Sequence, residues 1–157
     1  KKEVYMKKII TLVKPILITV IVGGISGTIT SGFIDYETLK QSPLSPPSTL
    51  FPIVWTILYI LMGVSYGILK NDGKIDKEIN MIYATQLLTN VTWPIIFFVF
   101  KWRFLAIIWI LVLLGLIIYM AMKFYRKNKS AGLLQIPYIL WTIFATYLTI
   151  GVYVLNN

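Results

Sequence analysis

Side chains able to do chemistry are few in this sequence, and they are grouped. Gln86, Asn90, Trp93 and Phe97 recur at i, i+4, i+7 and i+11 within YATQLLTNVTWPIIFF (residues 83–98), which puts them on one helical face. Trp55 and Tyr59 form an i, i+4 pair, and Trp141, Ala145 and Leu148 form a similar stripe. An amide pair is costly toward lipid, so the Gln86/Asn90 face is expected to point into protein. Such groups offer hydrogen bonds and flat aromatic surfaces rather than proton transfer or nucleophilic attack.

Histidine and cysteine are both absent. Their absence removes the usual general base, thiol chemistry, disulfides, and imidazole or thiolate metal ligands. No metal site and no cofactor are expected. There is no Ser-His or Cys-His arrangement and no phosphate-binding glycine loop after a strand. The six acids, Glu3, Asp35, Glu37, Asp72, Asp76 and Glu78, all fall outside the apolar runs. Ion-coupled carriers and proton pumps mark their pathways with intramembrane carboxylates or histidines, so this class is disfavoured. Nothing here makes a voltage sensor or a charged selectivity ring.

The elements that position these residues are membrane spans. The 157 residues are 57% hydrophobic and 13% charged, against roughly 45–50% and about 25% in soluble domains. A helix needs about 20 apolar residues to cross the hydrocarbon. Five stretches qualify, at about 15–34, 51–69, 79–100, 104–122 and 133–155, predicting one all-α integral membrane domain: a bundle of five transmembrane helices. Lys14-Pro15 sets the edge of the first, with the lysine reaching to the surface. That run is longer than the apolar part of a signal peptide and lacks a small-residue cleavage site, so it is read as a retained span.

Basic residues set the orientation. All fifteen Lys and Arg except Lys40, Lys101 and Arg103 fall in the N-terminal segment, the 70–78 loop or the 123–129 loop. The positive-inside rule then puts the N-terminus in the cytoplasm, with the C-terminus and the long 35–49 loop outside. In such a chain a net charge of +9 reports topology and contact with the lipid bilayer rather than nucleic acid.

Gly23, Gly27 and Ser31 share one face of the first span, and Gly63 and Gly67 share one of the second. Packing within the monomer is favoured over dimerisation for these stripes. Pro94 is expected to kink the third span and free a carbonyl near Asn90. Ser48 or Thr49 is the expected cap of the second. Trp102 and Trp93 suit interfacial anchors, whereas Trp55 and Trp141 lie more than a turn inside their helices. By spacing alone, an aromatic-lined cavity and plain helix packing stay equally open.

Three motifs extend the reading. PPSTLFPIVWTILYILMG (residues 46–63), QLLTNVTWPIIFF (86–98) and PYILWTIFAT (137–146) resemble, in order and register, signatures of the translocator protein/tryptophan-rich sensory protein (TspO/MBR) family. The resemblance implies a five-helix bundle, commonly homodimeric, with a pocket under the 35–49 lid loop. It implies binding of porphyrins such as protoporphyrin IX and of synthetic isoquinoline carboxamide ligands. Trp55 and Trp141 would be facing pocket tryptophans, Asn90 and Gln86 the polar contact, Tyr59, Phe97 and Ala145 the walls, and Tyr36 a lid contact. Gly27, Pro46, Pro47, Trp93, Phe144 and Leu148 complete the implied ligand-binding set.

Two departures stand out. Asp35 and Leu44 occupy lid positions where the family often has tryptophan, and Tyr153 is followed by no Lys or Arg, so cholesterol recognition is not expected. The function implied is a receptor or sensor for tetrapyrroles in a membrane, expected to be the bacterial cell membrane. Without His or Cys as a strong axial iron ligand, metal-free porphyrin is favoured over haem. The alternatives are a light- and oxygen-dependent porphyrin-degrading enzyme, with Trp55 and Trp141 as its catalytic residues, and a passive porphyrin transporter.

Overall fold

The computed structural model describes residues 1–157. It is all helical: α1 (Lys2–Thr30), α2 (Leu50–Asn71), α3 (Lys77–Pro94), α4 (Arg103–Lys127), the short α5 (Lys129–Leu133) and α6 (Ile136–Asn156). Five helices are long and apolar enough to cross a membrane. Most of their ends run past the spans inferred from hydropathy because a helix need not stop where hydrocarbon does, whereas α1 stops at Thr30, α3 at Pro94 and α6 starts only at Ile136. The largest excess is in α1, which begins at Lys2, carries Pro15 inside it and leaves residues 1–10 exposed. Leu17, Ile18, Ile21, Ile25 and Ile29 of α1, like Leu111, Val112, Leu140 and Ile143, face outward. That apolar outer surface suits a hydrocarbon surround.

The glycine stripes pack α1 on α2. A Cβ at Gly63 would collide with the Ile16 backbone, one at Gly67 would meet Leu12, and one at Gly23 would enter the Tyr59 ring. Close backbone approach therefore depends on their lacking side chains. Helix α3 packs on α4 through two indoles. Trp93 Nε1 donates to the Ala106 carbonyl (3.0 Å) and Trp109 Nε1 to the Thr89 carbonyl (2.9 Å). Closely packed neighbours are α1 with α2 and α3, and α4 with α3 and α6, while α5 wedges between α2 and α4. Ser65 Oγ donates to the Ala131 carbonyl of α5 (2.6 Å).

Local details add to one expectation and correct another. Pro94 is followed by a π turn, Ile95–Val99, in which Phe100 N–H reaches the Ile95 carbonyl (3.0 Å). A π turn takes in one residue more than an α turn and so re-aims the side chains that follow. The N-cap of α2 is Thr49, but no side chain caps it, because Ser48 Oγ donates instead to Glu37 Oε1 in the lid.

Capping occurs at the basic end. Asp76 Oδ1 accepts from Ile79 N–H (2.9 Å) and Asp76 Oδ2 accepts from Lys127 Nζ (2.7 Å). The Lys127 side chain, with the Ile79 amide, holds the Asp76 carboxyl below the usual carboxylate range. Asn128 Nδ2 donates to Asp72 Oδ2 (2.7 Å) and Lys74 Nζ to the Lys127 carbonyl (2.6 Å), so the 70–78 loop is tied to the end of α4.

Candidate ligand pocket

The lid between α1 and α2 is anchored at several points. Tyr36 is buried, and its hydroxyl donates to the Pro46 carbonyl (3.0 Å). Gln41 Nε2 donates to the Tyr36 carbonyl (2.7 Å), and Tyr147 Oη to the Pro43 carbonyl (2.7 Å). Lys40 and Asn156 exchange two hydrogen bonds, at 3.0 and 2.9 Å. Burial raises the Tyr36 phenol above its ordinary value. At the tip, Ser45 N–H closes a turn onto the Ser42 carbonyl (3.3 Å), with Leu44 at φ 71°. Pro43 at the second place of that turn and a positive φ at the third match a type II turn, whose third place prefers glycine or asparagine.

From the lid an aromatic path leads inward. The Tyr36 ring meets Phe51 edge-on at 5.0 Å, and Phe51 meets Trp141 at 5.9 Å. Trp141 continues to Phe144 at 5.5 Å. Half-buried Trp55 packs on Tyr59 (5.8 Å) and edge-on to Tyr138 (6.3 Å).

Beneath these rings lies a closed polar chain. Tyr59 Oη donates to Asn90 Oδ1 (2.7 Å), Asn90 Nδ2 donates to Tyr138 Oη (2.6 Å), and Tyr138 Oη donates to Gln86 Oε1 (2.8 Å). Gln86 Nε2 returns to the Tyr83 carbonyl (3.1 Å), and Tyr83 Oη pairs with Thr19 Oγ1 (2.6 Å). Helices α1, α2, α3 and α6 are thereby joined. Gln86 and Asn90 do face into the bundle, at 0% and 3% exposure. Both amide carbonyls already have protein donors, so this chain fixes helix positions and fills its own hydrogen bonds.

A donor is left over elsewhere. Trp141 Nε1 is buried and has no partner. Its ring borders an apolar groove of about 400 Å³ between α2 and α6, lined by Val54, Ile57, Leu58, Pro137, Leu140, Trp141 and Phe144. That volume falls within the ~300–1,000 Å³ of small-molecule sites. Ala145 and Leu148 are buried one and two turns further along α6.

Trp93 and Phe97 turn away from this group. They stack at 4.9 Å and join a second cluster with Ile96, Ala106, Val152 and the lid residue Leu39. The indole of Trp93 is committed to α4, and the π turn swings Phe97 beneath Arg103, whose guanidinium carbon lies 4.3 Å from the ring centroid. Gly27 follows Gly23 by one turn on the same face of α1, with open space beyond it. Pro46 is half-buried under the Tyr36 hydroxyl, and Pro47 is exposed. Spacing missed Tyr138, the hub of the polar chain, and Phe51, the link from lid to Trp141. Tyr138 stands beside Pro137 at a helix start, where a tyrosine reads as an interfacial anchor.

The groups assembled here are aromatic rings, apolar side chains and one indole donor without a partner, with no carboxylate, imidazole or thiol among them. The TspO/MBR family model matches residues 15–155. The chain is 34% identical over 155 residues to a tryptophan-rich protein TspO of Chlorobaculum tepidum, covering 96% of this chain and 98% of the relative. It is 34% identical over 118 residues to the translocator protein of Bos taurus, covering 73% and 70%. To the tryptophan-rich sensory protein of Cereibacter sphaeroides it is 30% identical over 122 residues, covering 77% and 76%. A five-span bundle, a match over nearly the whole chain and relatives of both translocator and sensory name lead to one conclusion: the chain belongs to the TspO/MBR family of integral membrane proteins.

Proposed function

We propose that this protein is a membrane receptor that binds porphyrins, protoporphyrin IX among them, and isoquinoline carboxamide ligands against Trp55 and Trp141 beneath the lid. The observation carrying the reading is the buried indole N–H of Trp141, left without an acceptor in a residue that lines an apolar groove. A buried donor without a partner is unfavourable by about 1–3 kcal/mol, and a flat ligand bearing an acceptor would relieve it. The amide pair, expected to touch ligand, acts in this reading by holding Tyr59 and Tyr138 behind Trp55. Orientation follows the basic residues: N-terminus in the cytoplasm, lid and C-terminus outside. Family membership supports a homodimer as the working state.

Quenching of tryptophan fluorescence on titration with protoporphyrin IX in detergent tests the reading. Trp141→Phe should weaken binding about fivefold, the equivalent of roughly 1 kcal/mol for one neutral hydrogen bond. Unchanged affinity in the Trp55→Phe/Trp141→Phe double variant would refute the site. A second reading, light-driven oxidative degradation of bound porphyrin, is favoured by the adjacency of the oxidisable rings Trp55, Tyr59 and Tyr138. Illumination in air would then yield a discrete product that is lost in the double variant, whereas a simple receptor bleaches pigment no faster than solution does.

A further inference from the structure

At the corner where the lid leaves α1, buried charge is left incompletely bonded. Asp35 Oδ2 accepts from Arg103 Nη2 at 2.9 Å and lies 3.6 Å from Lys101 Nζ. Its other oxygen, Oδ1, has no partner, and neither do Nε and Nη1 of Arg103. The Arg103 side chain is only 11% exposed and is held over the Phe97 ring. Two cations thus face one carboxylate that uses a single oxygen, at the start of a helix whose first turn contains no acid. A guanidinium fork is matched by two carboxylate oxygens side by side, a geometry Asp35 does not reach.

We propose that Arg103, assisted by Lys101, is the docking point for a carboxylate of the pocket ligand, and that Asp35 is an internal stand-in which that carboxylate displaces. The proposal rests on the porphyrin reading above and adds the recognition of the pigment's acidic side chains. The occupant supplied by the chain itself is a carboxylate, which identifies the chemistry the cations are arranged to hold. Exchange replaces one carboxylate by another, so the buried Arg103 guanidinium stays paired throughout and the cost of stranding a buried charge is not incurred there. The exchange has a structural consequence, because Asp35 directly precedes Tyr36. Releasing it loosens the lid segment that carries the Tyr36–Phe51 contact, the first step of the aromatic path to Trp141. Phe97 gains a role as well: it orients the guanidinium from below by a cation–π contact.

The test compares protoporphyrin IX with its dimethyl ester, which keeps the macrocycle and lacks both charges, binding each to the full chain in detergent. For each pigment the ratio of variant to wild-type Kd is read, so the ester's greater apolarity cancels. Arg103→Gln should weaken the diacid about tenfold and leave the ester unchanged. Asp35→Asn keeps the shape of the stand-in and removes its charge, and it should tighten the diacid several-fold without affecting the ester. Added salt should erode the diacid effects. If Arg103→Gln does not fold, Asp35→Asn and Lys101→Gln carry the comparison. Asp35→Asn acting equally on both pigments, or weakening the diacid, overturns the docking and leaves the pocket reading intact. Binding of neither pigment by the wild type overturns both.

Discussion

Removing the hydroxyl of Tyr138 should destabilise the bundle more than removing that of Tyr59, although both rings stay in place. Tyr138 Oη both accepts from Asn90 Nδ2 and donates to Gln86 Oε1, whereas Tyr59 Oη only donates to Asn90 Oδ1. Tyr138→Phe therefore strands one amide donor and one amide carbonyl, and Tyr59→Phe strands a single carbonyl. Hydrogen bonds between membrane helices are worth about 0.6 kcal/mol on average and up to roughly 1.7, and a stranded buried group adds a desolvation cost of about 1–3 kcal/mol. The estimate is about 2–4 kcal/mol for Tyr138→Phe and about 1–2 for Tyr59→Phe. Unfolding in mixed detergent and dodecyl sulfate, followed by far-UV circular dichroism, measures both. A double-mutant cycle between Tyr138→Phe and Asn90→Leu should show coupling near 1 kcal/mol, because the doubly apolar variant no longer strands one group opposite the other. Equal losses for the two tyrosines, or additive behaviour in the cycle, would refute the assignment of Tyr138 as the hub.

Other outcomes follow from local geometry. Gly63→Ala, whose Cβ would strike the Ile16 backbone, should cost about 1–3 kcal/mol by overpacking, whereas Gly24→Ala, with nothing within 4 Å, should be neutral or mildly stabilising in the same assay. Leu44→Gly should relieve the positive φ at the lid tip and stabilise the lid by about 1 kcal/mol, read as slower proteolysis within residues 35–49. Asp76 has a lowered pKa, so its cap and ion pair contribute fully above the ordinary value of 3.8 and are lost as pH falls through the lower folded value. Protection of the Ile79 amide from hydrogen exchange should drop in that acidic window, and Asp76→Asn should abolish the pH dependence. Tyr36 is raised, so its contribution is complete below the ordinary value of 10.0 and fades as pH climbs through the folded value. Lid proteolysis should therefore accelerate at alkaline pH in the wild type and be pH-independent in Tyr36→Phe.

Much of the architecture was legible because bilayer physics writes it plainly. Five apolar runs gave five helices, and the amides of α3 had to turn inward since lipid accepts no hydrogen bonds. The glycine stripes announced the α1–α2 contact. What spacing could not convey was who satisfies whom. Gln86 and Asn90 look like free polar groups on a helical wheel, yet three tyrosines from α2, α3 and α6 surround them, and tyrosine hydroxyls carry no periodic signature. Nor does a wheel foresee a π turn. One inserted residue after Pro94 rotates the rest of the helix, so Phe97 leaves the stripe it shares on paper with Asn90 and comes to rest under Arg103. The lid contacts of Tyr147 and Asn156 join segments more than a hundred residues apart, beyond any local pattern.

The groove between α2 and α6 bears on how the whole molecule moves. Helix α2 packs closely on α1, α4 and α5, and α6 packs on α4 and is hydrogen-bonded to α3 through Tyr138, so the groove is a seam in an otherwise closed ring. At the lid end two things cross that seam: the ring contact of Phe51 with Trp141, and the lid, running from α1 over to Tyr147, Gly151 and Asn156 of α6 and back to α2. The lid is accordingly a clasp on a hoop as well as a cover. Its few hydrogen bonds add to the side-chain contacts across the seam, and a single cut in residues 35–49 would leave the hoop closed there by packing such as Phe51 on Trp141 and Trp55 on Tyr138 alone.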